Sequence, residues 1–553
     1  MTRYTISYQN PLTHFVQFEV RIDDLSGKYT DLSLPSWRPG RYQIQNFAKN
    51  IKGFKVENTS GEALKFTKTT KDSWRVALNG SNTIVVKYAF FAFAMDAGNS
   101  WLDDEQLYLN FVNCCIYAEV KLNAPCEVHL DLPESYRVAC GLKKLDEHKL
   151  YAPNYYQLVD SPMMASASLR HITYTHSQTN YHIWIQGELP KTDADVISDF
   201  EAFTQKEVEI MGELPCEDYH FLFQCLPYKH YHGVEHWNST VITIGPSEEL
   251  AERKLYKEFL GVSSHELFHT WNVIRLRPKE MVPYNFQAEN YHTTGYITEG
   301  ITTYYGDLIL MRSGVFSFEE YIEELNKLLM RHFENDGRSN YSVAESSWDL
   351  WLDGYEKGIP GRKVSIYNEG ALAALILDLS IRNKFNNKKS LDDVMRLMWA
   401  RHGQDMSGYT DADYRAIVEK VYEAPFDQYF DELLFSTADY KEWLTPLFEK
   451  FGLRLLELPK DNGIEHNYGF KTQDQFVTAI AAGSHAETVL SLKDKIEQTA
   501  ETKNGLKLTI DRFGVKKTVT VHQGELFYFL APELNSLTIN QNNPLLKGWL
   551  ELA

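Results

Sequence analysis

The sequence has few cysteines and no long apolar run. Its six cysteines are scattered through 553 residues without a CxxC pair, which argues against a disulfide framework and a cysteine-rich zinc site. The amino-terminal residues lack the apolar core of a signal peptide, and the longest apolar runs are far too short to span a bilayer. We therefore expect a cytoplasmic protein that does not bind a membrane.

The chain also has fewer basic residues than acidic ones. The 56 Lys and Arg residues are outnumbered by 75 Asp and Glu residues, which leaves a net charge of -19. Such an excess repels phosphate backbones, so nucleic acid is excluded as an expected partner. The chain has no internal repeat or low-complexity tract, and its 43% hydrophobic residues can form sizeable cores. Its length predicts several globular domains.

Hydrophobic periodicity divides the chain into regions. Short alternating runs such as 15–22 and 83–90 predict a β-sheet domain over residues 1–165. Helical spacing then dominates, and it separates a catalytic domain at 166–315 from a mostly helical domain at 316–445. Short strands return over 446–553 and predict a small β-rich module. The fold class is therefore a multidomain α+β protein.

One short motif carries the chemistry. Residues 263–272 read SSHELFHTWN, and the apolar residues before them recur at i, i+4 and i+7, which indicates a helix. On a helix His265 and His269 share one face, so both imidazoles can bind one Zn²⁺ ion. Glu266 then lies beside the metal and can take a proton from the attacking water and pass it to the leaving amine.

A third ligand is expected downstream, and two glutamates compete for the role. Glu299 lies in the apolar segment YITEGITTYY, where a lone charge would be costly without a cation. Glu289 is the rival because only nineteen residues separate it from His269. We favour Glu299. The segment of Glu280 is typical of a solvated turn, and Asp307 is either an acceptor that orients a ligand histidine or a surface carboxylate.

Several longer motifs resemble one enzyme family. The stretches HELFHTWNVIRLRP, ENY and TEGITTYYGD look like the glycyl aminopeptidase family of gluzincin metallopeptidases, which usually carries a C-terminal PDZ domain. Residues 34–51 and 155–162 resemble the N-terminal domain of that family, and HGVEHWNST at 232–240 resembles its motif upstream of the zinc helix. The resemblance implies that Glu299 is the third zinc ligand.

The resemblance also implies further site residues. Glu235 stands where the similar aminopeptidase N superfamily has the glutamate that binds the substrate α-amine, and Gly233 in the same motif is assigned to substrate binding with it. Tyr367 resembles the tyrosine of the YxKG motif, whose hydroxyl donates a hydrogen bond to the oxyanion. The sequence departs from this pattern because Glu369 replaces the usual lysine.

The fold implied by the resemblance has four parts. They are the N-terminal β-sheet domain, a thermolysin-like catalytic domain, a helical domain and a C-terminal PDZ-like β module. In that module the Tyr468-Gly-Phe470 loop could receive the C-terminus of a partner peptide on its backbone amides. The proline and glycine usual in two PDZ segments are missing here, so the module could equally be a degenerate one that only packs against the peptidase.

The expected function is that of a zinc aminopeptidase. The resemblance implies that it removes small N-terminal residues, glycine or alanine, from peptides, with Glu266 as the general base. The alternative is a catalytically weak peptide-binding or scaffold protein that uses the PDZ-like module. The substitution at Glu369 and the altered PDZ segments motivate this alternative, whereas the intact zinc motif argues against it.

Overall fold

The fold is known from a computed structural model, which describes residues 1–356, 358–456, 463–525, 527–530, 532–535 and 538–552. It comprises an N-terminal β region, a mixed α/β region, a helical region and C-terminal β-sheets. The predicted multidomain α+β class is thereby confirmed. None of the helices in these ranges combines the length and the apolar character needed to cross a membrane.

The first 166 residues form three sheets. Along β2 the side chains alternate between buried and exposed, as expected for a strand with one face on a core. The strands are β1 Thr2–Ser7, β2 Phe15–Ile22, β3 Tyr29–Ser33, β4 Ile51–Asn58, β5 Phe66–Lys68, β6 Ser73–Ala77, β7 Ile84–Phe91, β8 Trp101–Leu102, β9 Gln106–Leu109, β10 Tyr117–Ala118, β11 Cys126–Leu130, β12 Arg137–Cys140, β13 Lys143–Asp146, β14 Lys149–Ala152 and β15 Met163–Ser166. Their orders are β13-β14-β11-β1-β2-β7-β4, β10-β3-β6-β5 and β12-β15-β9-β8. Two short helices, α1 Phe111–Cys114 and α2 Tyr155–Val159, connect strands.

The loop between β3 and β4 reaches the next region. The indole Nε1 of Trp37 donates a hydrogen bond to the carbonyl oxygen of Asn285 at 2.8 Å. The backbone N–H of Ser36 donates to the carbonyl oxygen of Phe286 at 2.9 Å. Because Trp37 is fully buried, these bonds fix the loop, and with it the N-terminal region, against the segment that follows the HExxH helix.

The mixed region is built on a five-stranded sheet with the order β16-β17-β18-β20-β19. The outer strand β19 runs antiparallel to β20, whereas β17, β18 and β20 are parallel. The strands are β16 Arg170–His176, β17 Thr179–Gln186, β18 Asp218–Cys225, β19 His230–His236 and β20 Ser239–Gly245. The helices are α3 Asp193–Met211, α4 Arg253–Phe268, a π-helix at Tyr296–Ile301 and α5 Thr302–Arg312.

Helices dominate from residue 318 to residue 450. They are α6 Phe318–Phe333, α7 Val343–Trp348, α8 Leu350–Asp353, α9 Ile366–Phe385, α10 Leu391–Met398, α11 Asp411–Tyr422 and α12 Tyr440–Lys450, with π-helices at Trp399–Gly403 and Gln428–Leu434. Short 3-10 helices lie at Pro11–Thr13, Phe47–Asn50, Glu119–Lys121, Ser247–Ala251, Lys279–Met281 and Asp336–Ser339. Ser317 and Glu320 form a capping box at the start of α6, which explains why that helix begins there.

The C-terminal part contains a five-stranded antiparallel sheet with the order β22-β23-β24-β25-β26. Its described elements are β21 Leu455–Leu456, α13 Gly463–Tyr468, β22 Phe470–Gln473, β23 Phe476–Ile480, α14 Ala486–Val489, β24 Lys495–Thr502, β25 Gly505–Arg512, β26 Val515–Val521, β27 Glu533–Leu534 and α15 Pro544–Leu550. The N–H of Gly469 donates to the Glu465 carbonyl oxygen at 3.0 Å, so in this conformation it does not point into an open loop. The PDZ-like nature of the module remains a prediction.

One large core unites most of the chain, and a separate one fills the terminal sheet. The large core includes buried side chains from β1 through α12 and also from β27 and α15. The separate core contains only residues between Phe470 and Val521. The separate module therefore covers fewer residues than the predicted range 446–553, because Trp549 and its helix pack into the large core. The strands β21 and β27 pair with each other beside that module.

Candidate active site

The two histidines of the HExxH motif converge at the end of α4. The Nε2 atoms of His265 and His269 lie 3.0 Å apart. His269 is almost fully buried, at 1% exposure, whereas His265 borders an open cavity. The helix ends at Phe268, and His269 is its C-terminal cap, which still faces the same side as His265.

Glu299 completes this group from the π-helix that precedes α5. Its Oε2 lies 3.4 Å from Nε2 of His269 and 3.9 Å from Nε2 of His265. Burial opposes protonation of His269, but the carboxylate of Glu299 outweighs it and raises the pKa of His269 to about 10. The pocket among these three side chains therefore attracts positive charge, as a metal site does.

The wider turn of the π-helix places Glu299 where an unbroken α-helix would not. Gly300 lies so close to α9 that a Cβ atom there would be 2.4 Å from the Cα atom of Gly370. A glycine is needed on both sides of this crossing because any side chain would push the helices apart. The contact holds the segment of Glu299 against the first turns of α9. Such single-turn π-helices are common at functional sites.

A backbone carbonyl orients His269. Its Nδ1 lies 2.6 Å from the carbonyl oxygen of Asn272, which fixes the ring so that Nε2 points into the site. The Asn272 side chain donates to the carbonyl oxygen of Ile297 at 2.8 Å. It thus connects the HExxH helix to the segment of Glu299. Asn272 was not among the residues predicted from the sequence, although it stands three residues after the motif.

Asp307 has a different environment from the one predicted. It is neither a surface carboxylate nor, among the described residues, hydrogen-bonded to a ligand histidine. It lines the active-site cavity, and burial raises its pKa to about 7.

Glu266 points into the cavity beside the two histidines. It is 5% exposed, and its Oε2 has no hydrogen-bond partner among the described residues. Burial raises the pKa of its carboxyl well above the usual value. A Cβ atom at Gly233 would lie 2.2 Å from Glu266 Oε1. The absence of a side chain at Gly233 therefore makes room for this carboxylate.

Glu235 lies on the same strand, two residues beyond Gly233. One of its carboxylate oxygens lies within 4.8 Å of a carboxylate oxygen of Glu266 and of a ring nitrogen of His269. Burial raises its pKa to about 7. The loop after β3 covers it, because a Cβ atom at Gly40 would be 2.7 Å from Glu235 Oε2. Gly40 has a φ of +75°, so glycine also relieves backbone strain at this close approach.

Two tyrosines lie near Glu299. Tyr367 lies in the first turn of α9 and lines the cavity. Burial, and then the charge of Glu299, raise the pKa of the Tyr367 hydroxyl. Burial also raises the pKa of Tyr355, to about 12, while a hydrogen bond with Tyr367 lowers it. Tyr355 was not recognised in the sequence because it lies outside every motif and reaches the site only through the fold.

The remaining candidates lie apart from this group. Glu289 and Glu280 are exposed and do not line the cavity. Glu369 is buried and faces away from it, toward His332. Of the glutamates considered as third ligand, only Glu299 is brought to the histidines.

These side chains surround one cavity of about 470 Å³. Tyr231, Gly233 and Glu235 line it from the outer strand β19, and Val262 and Glu266 line it from α4. Because β19 is the last strand of its sheet, its outer edge can pair with an extended peptide. The cavity therefore combines an open strand edge, three clustered side chains that could hold a metal ion, and a Glu266 oxygen without a hydrogen-bond partner among the described residues.

The family models that match the chain give its class, which is that of a peptidase. The family model described as Peptidase M61 N-terminal domain matches residues 3–167. The model described as M61 glycyl aminopeptidase matches residues 258–373. Together they cover just over half of the chain, which belongs to the M61 glycyl aminopeptidase family. The predicted resemblance to this family is confirmed.

Solved structures agree with this assignment. An aminopeptidase N family protein from Idiomarina loihiensis is 25% identical, with 100% of both chains covered and a TM-score of 0.90. An M1 zinc metallopeptidase mutant from Deinococcus radiodurans, bound to a Tyr-Ser-Ala substrate, is similar in fold alone, with 13% identity, 79% of this chain and 94% of that chain covered, and a TM-score of 0.50. No curated protein sequence matches the chain. The family and the Idiomarina loihiensis structure support an aminopeptidase.

Proposed function

We propose that the protein is a zinc aminopeptidase that removes small N-terminal residues, glycine or alanine, from peptides. One observation carries the proposal: His265, His269 and Glu299 offer three ligand atoms within 4.8 Å of one another, beside the unpaired carboxylate of Glu266. Two imidazoles and one carboxylate are a donor set typical of catalytic zinc, which keeps a further position open for a reactant. When bound, Zn²⁺ polarises the attacking water and the scissile carbonyl group.

Glu266 moves the proton in this mechanism. Its free Oε2 can accept a proton from the attacking water and then donate it to the leaving amine. Its position beside Gly233 supports this role, because a substrate paired with β19 would pass directly over the carboxylate. Tyr367 donates its hydroxyl proton in a hydrogen bond to the carbonyl oxygen as negative charge develops there.

Glu235 makes the enzyme an aminopeptidase in this proposal. Its buried carboxylate binds the α-ammonium group of the substrate and so places the first peptide bond beside Glu266. The loop that carries Gly40 closes the space beyond Glu235, which supports a preference for a small first residue. The name of the family points to the same preference.

The Glu369 substitution no longer supports the scaffold alternative. Glu369 does not disturb the cavity, because its carboxylate is engaged with His332. Binding of a peptide C-terminus by the terminal module remains a second, independent proposal. It is compatible with an active peptidase.

The test compares glycyl and alanyl anilides with free and N-acetylated amines. The zinc-loaded wild type is expected to hydrolyse only the free-amine substrates, and a chelator should abolish turnover. Glu266→Gln should keep its zinc and lose about 10²- to 10⁴-fold in kcat. Equal rates on free and acetylated substrates would contradict the aminopeptidase assignment, and an absence of hydrolysis by the zinc-loaded protein on every peptide would contradict the enzyme itself.

A further inference from the structure

Three cations line one end of the active-site cavity, and two of them are already paired. Lys257 Nζ lies 3.2 Å from Glu324 Oε1. Lys327 Nζ lies 2.7 Å from Glu324 Oε2 and 3.3 Å from Glu258 Oε1. Arg331 lines the same cavity but makes no ion pair and no hydrogen bond within the part of the chain that the structure describes. Its guanidinium group is therefore free to bind a ligand.

The path of the substrate can be measured along β19. Tyr231, Gly233 and Glu235 alternate on this strand and all line the cavity, as strand geometry requires for one face. At about 3.3 Å per residue, Tyr231 lies about 13 Å along the strand from Glu235. With the α-amine at Glu235 and the scissile bond near Gly233, Tyr231 marks the leaving side.

Arg331 lies on this leaving side. Its charge is close enough to act on the Tyr231 hydroxyl. The next residue, His332, is bonded to Glu369 at 2.5 Å, which fixes this part of α6 beside the start of α9 and Tyr367. Arg331 is therefore assigned to the Tyr231 end of the proposed substrate path.

We propose that Arg331 binds a carboxylate on the leaving part of the substrate. The carboxylate is either the C-terminus of a di- or tripeptide or an acidic side chain of a longer peptide. This inference rests on the proposed aminopeptidase function and adds a substrate class to it. An extended tripeptide spans about 10 Å, so its C-terminus comes within reach of a long arginine side chain at the end of this path.

The chemistry of the cavity agrees with this assignment. The planar guanidinium group can form two parallel hydrogen bonds with one carboxylate, which a lysine cannot do. Glu258 and Glu324 are already paired with lysines, Glu258 with Lys327 and Glu324 with both Lys327 and Lys257. Asp307 also lines the cavity, and because burial raises its pKa to about 7, it is only partly charged near neutral pH.

The first experiment compares Gly-Ala-Ala with Gly-Ala-Ala-amide, and Gly-Ala-Asp-Ala-amide with Gly-Ala-Asn-Ala-amide. We expect the wild type to prefer the carboxylate member of at least one pair by about tenfold or more in kcat/KM, as loss of one charge-assisted hydrogen bond predicts. The preferred pair identifies the source of the carboxylate. Arg331→Gln should lose the preference, while Arg401→Gln, which removes an equally exposed charge outside the cavity, should retain it.

A binding measurement separates this inference from the catalytic proposal. Calorimetry with zinc-loaded Glu266→Gln protein compares the affinities of the same four peptides, with and without Arg331→Gln. A carboxylate preference that depends on Arg331 supports the inference even if turnover is absent. Equal affinities and equal rates within both pairs, or a preference that survives Arg331→Gln, would overturn it and leave the aminopeptidase assignment standing.

Discussion

His332 and Glu369 form a buried pair between α6 and α9, with 2.5 Å between Nδ1 and Oε2. Both side chains are nearly inaccessible, at 1% and 3% exposure. The sequence pattern of the related superfamily has lysine at the position of Glu369, which raised doubt about the catalytic charge balance. The pair shows instead that this position joins two helices and does not face the substrate.

The pair predicts a loss of stability when the usual lysine is introduced. Glu369→Lys would place an ammonium group against His332 in a buried site, and breaking such a pair costs about 3–5 kcal/mol. We expect a clearly lower midpoint of urea unfolding. Glu319→Lys at the exposed start of α6, the helix that carries His332, is the control. An unchanged midpoint for Glu369→Lys would show that the pair does not stabilise the fold.

Removal of the proposed ligands should release the metal. His265→Ala, His269→Ala and Glu299→Gln are each expected to bind Zn²⁺ at least about 100-fold more weakly. Loss of a residue that only hydrogen-bonds to a metal ligand already lowers metal affinity about 10- to 100-fold. Competition with a chromogenic chelator measures this affinity. Glu289→Gln is the control because this side chain is exposed. If Glu289→Gln lost zinc and Glu299→Gln kept it, the third ligand would be reassigned.

Gly233→Ala tests how closely the substrate strand approaches the general base. The added methyl group would meet Glu266 Oε1 at 2.2 Å, and displacing that carboxylate by about 1 Å can cost about 100-fold in rate. We expect a large fall in kcat with a small change in melting temperature. Gly261→Ala is a matched control, because its Cβ atom would meet Asp307 at an ordinary 3.6 Å. Similar effects at both glycines would argue against the proposed geometry.

The two tyrosines should differ in their effect on catalysis. Tyr367→Phe removes the proposed donor to the developing oxyanion, and loss of such a donor costs about 10²- to 10³-fold in kcat. Tyr355→Phe removes a hydroxyl that interacts with Tyr367 and with the backbone N–H of Tyr42, so a smaller fall is expected. Measured kcat and KM values with a glycyl anilide distinguish them. A greater loss at Tyr355 would assign the donor role to that residue.

A buried charge cluster makes stability sensitive to acid. Burial opposes ionisation of Asp392, but Arg312 and Arg382 outweigh it and lower its pKa to about 2. Because the folded pKa lies below the unfolded value, Asp392 stabilises the fold above pH 4 and loses this effect as the pH falls toward 2. The shift corresponds to about 2–3 kcal/mol.

The matching measurement is urea unfolding of the wild type and Asp392→Asn at pH 7 and pH 3. The difference between the two proteins should be larger at pH 7 and shrink at pH 3. Asp104→Asn, at an exposed position, should show little difference at either pH. A constant difference for Asp392→Asn would mean that its ionisation does not contribute to stability.

The features that the sequence predicted are those that short patterns encode. The HExxH spacing placed His265 and His269 on one helical face, and the apolar setting of Glu299 indicated a buried carboxylate that needs a cation. The structure brings these three together, although their role as ligands stays a prediction. The alternation of the first 165 residues likewise indicated the N-terminal β region, because period-two burial is a local property.

Other parts of the site depend on contacts between distant segments. Gly40 reaches Glu235 from a different region, and Tyr355 reaches Tyr367 from a loop without a motif. The π-helix at Glu299 lies against α9 at a crossing of Gly300 with Gly370 that no local pattern reveals. Arg331 was missed because an arginine on an amphipathic helix resembles any solvated charge until its neighbours are known.

The pairing of β21 with β27 has a consequence for how the terminal module is connected. Leu455 lies opposite Leu534, so the chain enters and leaves the module at neighbouring points, and then returns to place Trp549 beside Tyr304 at 2.8 Å. The module is thus an insert within the catalytic body and not a tail behind it. Deleting the module and joining β21 to β27 with a short linker would remove the module alone. Truncating the chain after β21 would also remove α15, a helix of the main core.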